Sequence, residues 1–186
     1  LTAKVTEASG GAFSEKISYE FMVLTDAGED DILFCDACEF CVNVEIADVA
    51  AGDRCPKCGD GTLSQARASE VGNVFDLGQK YGRDFDMGFT DRNGDKAFPV
   101  MGCYGIGITR LAGAAIEQNH DERGIIWPDP MAPFAVALIP MGYGRSDTVK
   151  AAAEKLYAEL AGDGVEVFLD DRDERPGVLL ADEELI

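Results

Sequence analysis

Two cysteine pairs, Cys35-x-x-Cys38 and Cys55-x-x-Cys58, stand sixteen residues apart, and they restrict the fold of this chain more closely than any other feature. Each pair can form a thiolate knuckle, and together they offer four soft ligands in the tetrahedral geometry that zinc accepts. Gly59, directly after Cys58, permits the tight turn that aims backbone amides at the sulfurs. Two other readings use the same thiols. Disulfides are disfavoured in a reducing compartment, and a redox pair would need one Cys-x-x-Cys to open a helix after a strand. Four thiolates leave no open position for water, so a metal held by them is structural rather than catalytic. Cys41 is the spare thiol, expected either as a small lone cysteine or as a substitute ligand for Cys38.

The charge balance narrows the partners. Against 16 basic residues stand 35 acidic ones, a formal charge of −19. That excess opposes unspecific attraction to polyanions, whose affinity rests on Lys and Arg neutralising phosphates. A nucleic-acid partner must therefore meet a local basic patch or parts of the protein outside this chain. The apolar fraction of 46% suits a packed globular protein. With no apolar run of membrane-spanning length and no signal peptide at the start, a cytoplasmic location is expected. The chain opens on what reads as a strand and stops inside what reads as a helix, so it is expected to be a fragment of a longer protein.

Residue patterning predicts two regimes. Leu1 to Glu7 and Ser18–Leu24 read as strands, followed by an acidic turn, the cysteine segment and a further strand over Ala68–Gly78. Phe89 to Gly102 reads as a hairpin in which Asn93-Gly94 supplies the positive φ angles of a tight turn. Up to this point the pattern is that of an antiparallel sheet. From Thr109 to Gln118 the period becomes helical, and the small residues Ala112, Gly113, Ala114 and Ala115 suit close packing on that sheet. Trp127 to Phe134 carries three prolines and reads as a linker. Beyond it, a strand over 135–141, a helix from Asp147 to Leu160 with Val149, Ala152, Leu156 and Leu160 on one face, and a strand in Val165–Asp171 read as the opening of a parallel α/β unit.

Several blocks, in this order, carry a family resemblance: Ser18–Cys38, Ser69–Gly82, Val100–Phe134 and Val165–Ile186. They resemble the C-terminal part of the catalytic domain of bacterial-type prolyl-tRNA synthetase, a class II aminoacyl-tRNA ligase, plus the start of its anticodon-binding domain. The resemblance implies an α+β chain: a partial class II antiparallel sheet with flanking helices over 1–126, a zinc-ribbon-like insertion at 35–58, a linker at 127–134 and the first part of an α/β anticodon-binding domain at 135–186. It implies a proline–tRNA ligase that forms prolyl-adenylate from proline and ATP with Mg2+ and then charges tRNA(Pro), as a homodimer in its full-length form.

The resemblance also assigns roles. Gly102 to Arg110 matches class II motif 3, whose arginine, here Arg110, reaches the γ-phosphate of ATP; Glu70, Asn73, Gly105 and Gly107 would line the nucleotide site with it. Glu20 would face the proline amine, and Phe75 and Cys103 would wall the proline ring. Zn2+ is expected on Cys35, Cys38, Cys55 and Cys58. The sequence departs from common members in having Asn73 where many have His, Tyr19 where a His is usual, and only the cysteine knuckles where many carry an alanine-editing insertion. A hydrophobic pocket rejects a smaller residue poorly, so mischarged alanine is expected to be tolerated or cleared elsewhere. The motifs upstream of the first strand that complete a class II site are absent, so this stretch by itself is expected to be inactive. Two readings from other classes use the same residues: an inactive synthetase-like paralogue, or a module whose zinc knuckles bind RNA or protein.

Overall fold

The computed structural model describes residues 1–186 as two compact units, Leu1–Gln118 and Asn119–Ile186. The first unit is built on the strands β1 (Ala3–Ala8), β2 (Ser18–Leu24), β3 (Asp30–Cys35), β4 (Cys41–Asn43) and β5 (Leu63–Gly78). A short helix α1 (Lys80–Asp84), the strand pair β6 (Phe89–Thr90) and β7 (Lys96–Ala97), the strand β8 (Met101–Ile106) and the helix α2 (Ile108–Gln118) complete it. The second unit holds β9 (Val136–Leu138), α3 (Asp147–Gly162), β10 (Val167–Leu169) and α4 (Pro176–Glu183). The class is α+β, and no helix is long and apolar enough to cross a membrane.

In the main sheet the strand order is β2-β1-β4-β3-β5-β8, and a further pairing of β2 with β5 closes the first five strands into a ring. The expectation of a purely antiparallel sheet is corrected here, because β1 meets β4 in parallel at Glu7↔Val42. Ring closure demands that contact: β4 already runs antiparallel to β3, and its other edge has only β1 to bond. The sequence also understates β5, which begins at Leu63 rather than Ala68 and pairs in turn with β3, β2 and β8. A bulge sets Phe21-Met22 against Gly72 and Glu70, with Val71 as the extra residue.

Alternation along these strands sorts the side chains into two faces. Inside the ring, Met22, Ile32, Cys41 and Ala68 pack together, with Leu24 and Phe34 against them. On the outer face Val23 and Val71 pack against Leu111 and Ala114 of α2. The helix is thus on the sheet as its small residues predicted, though Gly113 faces open space and only Ala114 and Ala115 are buried. Gln118 anchors the helix end, bonding both Thr2 backbone groups at 3.0 and 3.1 Å and the Leu24 carbonyl at 3.2 Å.

The β6–β7 hairpin is present, but its turn differs from the expected one. Only Gly94 has a positive φ, 89°, and Asn93 does not. The Asp91 side chain accepts from the Asn93 and Asp95 amides at 2.8 and 3.0 Å, which builds a longer loop around a single left-handed glycine.

In the second unit β9 and β10 are parallel, as the strand-helix-strand pattern predicted. Helix α3 starts where Ser146 accepts from the Val149 amide, with Asp147 favouring the positive end of the helix dipole. Its apolar face is not buried within the unit: Val149, Ala152 and Leu156 line an open groove with Leu138, Ile139 and Pro140.

Ile32 is fully buried inside the ring. Ile32→Ala is expected to lower the stability of the first unit by about 2–5 kcal/mol, read as an earlier urea unfolding midpoint with an unchanged slope.

Candidate functional site

The resemblance-derived nucleotide residues converge where β5 meets β8 and α2. Gly105 is in register with Asn73, and Gly107 donates its amide to the Val71 carbonyl at 2.9 Å as the chain leaves β8 for α2. Arg110, in the first turn of α2, is thereby held over β5. Its Nη1 donates to the Glu70 carbonyl at 2.7 Å and lies 3.8 Å from the Glu70 carboxylate. That carboxylate also accepts from Asn73 Nδ2 at 2.7 Å. Glu70, Asn73, Gly105, Gly107 and Arg110 line one open cavity of 480 Å³. The guanidinium remains half exposed, so it is open to solvent and to an anion.

Glycine at position 105 is required neither by backbone conformation nor by internal packing. Its φ is not positive, and a Cβ added there would meet nothing nearer than Asn73 Oδ1 at 3.8 Å. A side chain at this position would instead project over the cavity floor, narrowing it for anything that lies there.

Glu20 faces Asn73 across the β2–β5 ladder and shares its side of the sheet. Burial pushes its carboxyl up to about 7, helped by the nearby negative charges of Glu70, Asp30 and Glu45 and opposed by a hydrogen bond from Asn43. Phe75 and Cys103 are register partners further along β5 and β8, with the Cys103 thiol exposed. The ring of Phe13, from the loop between β1 and β2, lies 5.8 Å from that of Phe75. Ser14 donates to the Asp76 carbonyl at 2.7 Å and Lys16 pairs with the Asp76 carboxylate, so this loop borders a second cavity of 570 Å³. Sequence reasoning missed Phe13, Lys16 and Asn43. A loop has no periodicity to place Phe13, and Asn43 meets Asp30 only through the β3–β4 pairing.

The four cysteines come together as their spacing predicts. All four sulfurs lie within 4.8 Å of one another, with Cys35–Cys58 at 3.7 Å and Cys38–Cys55 at 3.6 Å. These separations exclude disulfides, which need about 2.05 Å, and match the roughly 3.8 Å between sulfurs placed 2.3 Å from one tetrahedral centre. The Ala37 and Gly61 amides point at the Cys35 and Cys58 sulfurs at 3.3 and 3.4 Å. Amides of Gly61 and Asp60 draw the Cys58 thiol down to about 6, whereas burial pushes the Cys35 thiol up. A Cβ on Gly61 would sit 2.3 Å from the Cys35 sulfur, so glycine is obligatory there. Cys41 stands apart in the ring interior, its sulfur 3.2 Å from Thr6 Oγ1.

The family model of the class II tRNA synthetase core domain (G, H, P, S and T) matches residues 2–119. The chain belongs to the class II tRNA synthetase family. An anticodon-binding domain model matches residues 135–186 of the same class II chain. A proline–tRNA ligase of Burkholderia ambifaria is 57% identical over 142 residues, covering 76% of this chain and 24% of the relative. That of Paracidovorax citrulli is 59% identical over 145 residues, covering 78% and 25%. The chain thus spans about a quarter of the length of these curated relatives. Among solved structures, a Giardia lamblia prolyl-tRNA synthetase in complex with prolyl-adenylate superposes with a TM-score of 0.62 at 18% identity, over 97% of this chain and 31% of the other. A Cryptosporidium parvum enzyme complexed with halofuginone and AMPPNP gives 0.62 at 20%, over 96% and 30%. These two likenesses establish a shared class II fold.

Because the Glu20 carboxyl is raised, its ionisation works against the fold. Its favourable share is complete below the unfolded value near 4.5 and is lost as pH rises through about 7. Glu20→Gln is therefore expected to raise the thermal unfolding temperature at pH 8 but not at pH 4.5. Partial exposure limits the gain to about 1 kcal/mol.

Proposed function

We propose that this chain is the C-terminal part of the catalytic domain of a proline–tRNA ligase, joined to the beginning of its anticodon-binding domain. The observation that carries this reading is the convergence of Arg110, Glu70 and Asn73 on one cavity floored by Gly105, where neither φ nor packing calls for glycine. Identities of 57–59% to proline–tRNA ligases support the amino-acid assignment. We take 1–126 as catalytic domain, 127–134 as linker and 135–186 as anticodon-binding domain; the match of the anticodon-binding model to 135–186 supports the last of these.

The chemistry requires positioning rather than a covalent nucleophile. The proline carboxylate attacks the α-phosphorus of ATP, the bond to the bridging oxygen breaks, and pyrophosphate leaves with its electrons. Arg110 meets the charge on the γ-phosphate, aided by its link to Glu70 that fixes the guanidinium before substrate arrives. Asn73, held by Glu70, borders the adenosine side. Glu20 receives the proline ammonium, and Phe75 and Cys103 border the ring. Bound Mg2+ would neutralise the departing phosphates. The adenylate then passes proline to the terminal ribose of tRNA(Pro), in a full-length enzyme that works as a cytoplasmic homodimer.

The second part of the proposal is a structural Zn2+ on Cys35, Cys38, Cys55 and Cys58. Sulfur spacing, amide donors aimed at two sulfurs and the obligatory Gly61 all fit four-thiolate ligation. Four ligands fill the coordination sphere, so the ion ties the end of β3 to the start of β5 and takes no part in adenylate formation.

Two outcomes check these readings on the full-length protein. Proline-dependent ATP–pyrophosphate exchange is expected, and Arg110→Ala should reduce it by about 100-fold or more; a folded protein without exchange would overturn the ligase assignment. Elemental analysis should find one zinc per chain, and Gly61→Ala should lower both zinc content and thermal stability; a metal-free protein of unchanged stability would rule out the ion.

A further inference from the structure

The four clustered sulfurs do not share one environment. Cys35 and Cys55, the first thiol of each knuckle, are 3% and 1% exposed, whereas Cys38 and Cys58, the second of each, are partly open to solvent. The sulfurs in contact belong to opposite knuckles: Cys58 lies 3.7 Å from Cys35, and Cys38 lies 3.6 Å from Cys55. Each contact therefore joins one accessible sulfur to one sheltered sulfur. The other two cysteines stand outside this arrangement, Cys41 against Thr6 in the ring interior and Cys103 exposed on β8.

Reversible thiol oxidation needs that alternation. The oxidant must reach one sulfur, and a second sulfur, shielded from it, must stand close enough to capture the product before oxidation goes further. We propose that the cluster is a zinc-release site responsive to hydroperoxides, in which Cys58 and Cys38 are oxidised and Cys35 and Cys55 resolve them into two crossed disulfides. This rests on the reading of the cluster as a Zn2+ site. In the first step the Cys58 thiolate attacks hydrogen peroxide, the O–O bond breaks, and a sulfenic acid and hydroxide result. The Cys35 thiolate then attacks the Cys58 sulfur, the S–S bond forms, the S–O bond breaks, and a second hydroxide leaves with its electron pair. Two electrons have passed from two sulfurs to one peroxide, and the two hydroxides take up protons as water. Closing the contact to the roughly 2.05 Å of a disulfide needs only a short approach of the two sulfurs. Two thiolates then remain, too few to fill the four positions of a structural zinc, and the ion departs. Cys38 and Cys55 follow by the same steps with a second peroxide. Because both bonds run between knuckles, the end of β3 stays tied to the Cys55–Cys58 turn after the ion has gone.

The test titrates the full-length, zinc-loaded protein with hydrogen peroxide, follows released zinc with a colorimetric chelator and maps the cysteines by peptide mass spectrometry. The expected result is loss of the bound zinc by about two equivalents of consumed peroxide, with Cys35–Cys58 and Cys38–Cys55 as the disulfides. Cys103, exposed and outside the cluster, should instead go on to sulfinic or sulfonic acid. Dithiothreitol with added Zn2+ should reverse the release and restore four reduced thiols. Disulfides within a knuckle, Cys35–Cys38 or Cys55–Cys58, would overturn the crossed pairing. Sulfinic or sulfonic acid at Cys38 and Cys58 would overturn the resolving roles of Cys55 and Cys35. Zinc retained at peroxide concentrations that oxidise Cys103 would overturn the release while leaving the zinc reading intact. A protein that carries no zinc as isolated would sink the metal reading itself, and the switch with it.

Discussion

Strand β5 bonds along its sixteen residues to three partners, and the first unit depends on that shared ladder. Its first third pairs with β3 beside the cysteine knuckles, its middle with β2, and its end with β8. A strand is bonded on both edges only where it is central, and β5 is so where its partners overlap, at Ala68 and at Gly72 to Val74. Closing the ring through β2 removes edges that would otherwise present unpaired amides. The bulge at Val71 is the cost of joining these ladders, and it is also what sends Val71 outward to meet α2 while Glu70 stays inward.

From that geometry follows the electrostatic character of the site. Inward-facing positions at one end of the ring carry carboxylates, and the junction of β8 with α2 carries the single guanidinium beside them. An acidic neighbourhood favours a cation, whereas an anion would be met by Arg110. Glu70 lies between the two: it holds Arg110 and Asn73 on one side and adds its field to Glu20 on the other. One side chain therefore links the guanidinium to the neighbouring carboxylates.

The legible parts of this arrangement were those set by local pattern. Ser18–Leu24 alternates with strand-forming residues and emerges as β2 with those bounds, and the small-residue helix and the cysteine pairs also follow local rules. What escaped depended on distant contacts. The parallel β1–β4 contact is one bridge between segments far apart in the chain, without its own hydrophobic period. Asn43 ends a three-residue strand, too short to show alternation. The Asn93-Gly94 signal named a hairpin correctly and its turn wrongly, because the Asp91 side chain competes for the same amides and stabilises a longer loop.

The knuckles sit at the Leu63 end of β5 and the cavity residues Glu70 and Asn73 near its middle, so any influence of the sulfur cluster on the cavity must travel through strand register. Side chains on a strand alternate with a period of two, and a slip of one residue would turn Glu70 and Asn73 from the inward face to the outward one. The bulge at Val71 already uses one such shift, which leaves the register on either side to be fixed independently. Toward Gly78 the β8 ladder and the helix bonds of Gly107 and Arg110 fix it. Toward Leu63 the β3 ladder, the β2 pairs from Ala68 to Glu70 and the Leu63 backbone bonds to Gly52 and Asp53 fix it, with the four thiols gathered beside the Cys35↔Leu63 pair. A cysteine cluster beside the start of β5 can thus bear on a cavity several residues further along by helping to hold one strand in phase.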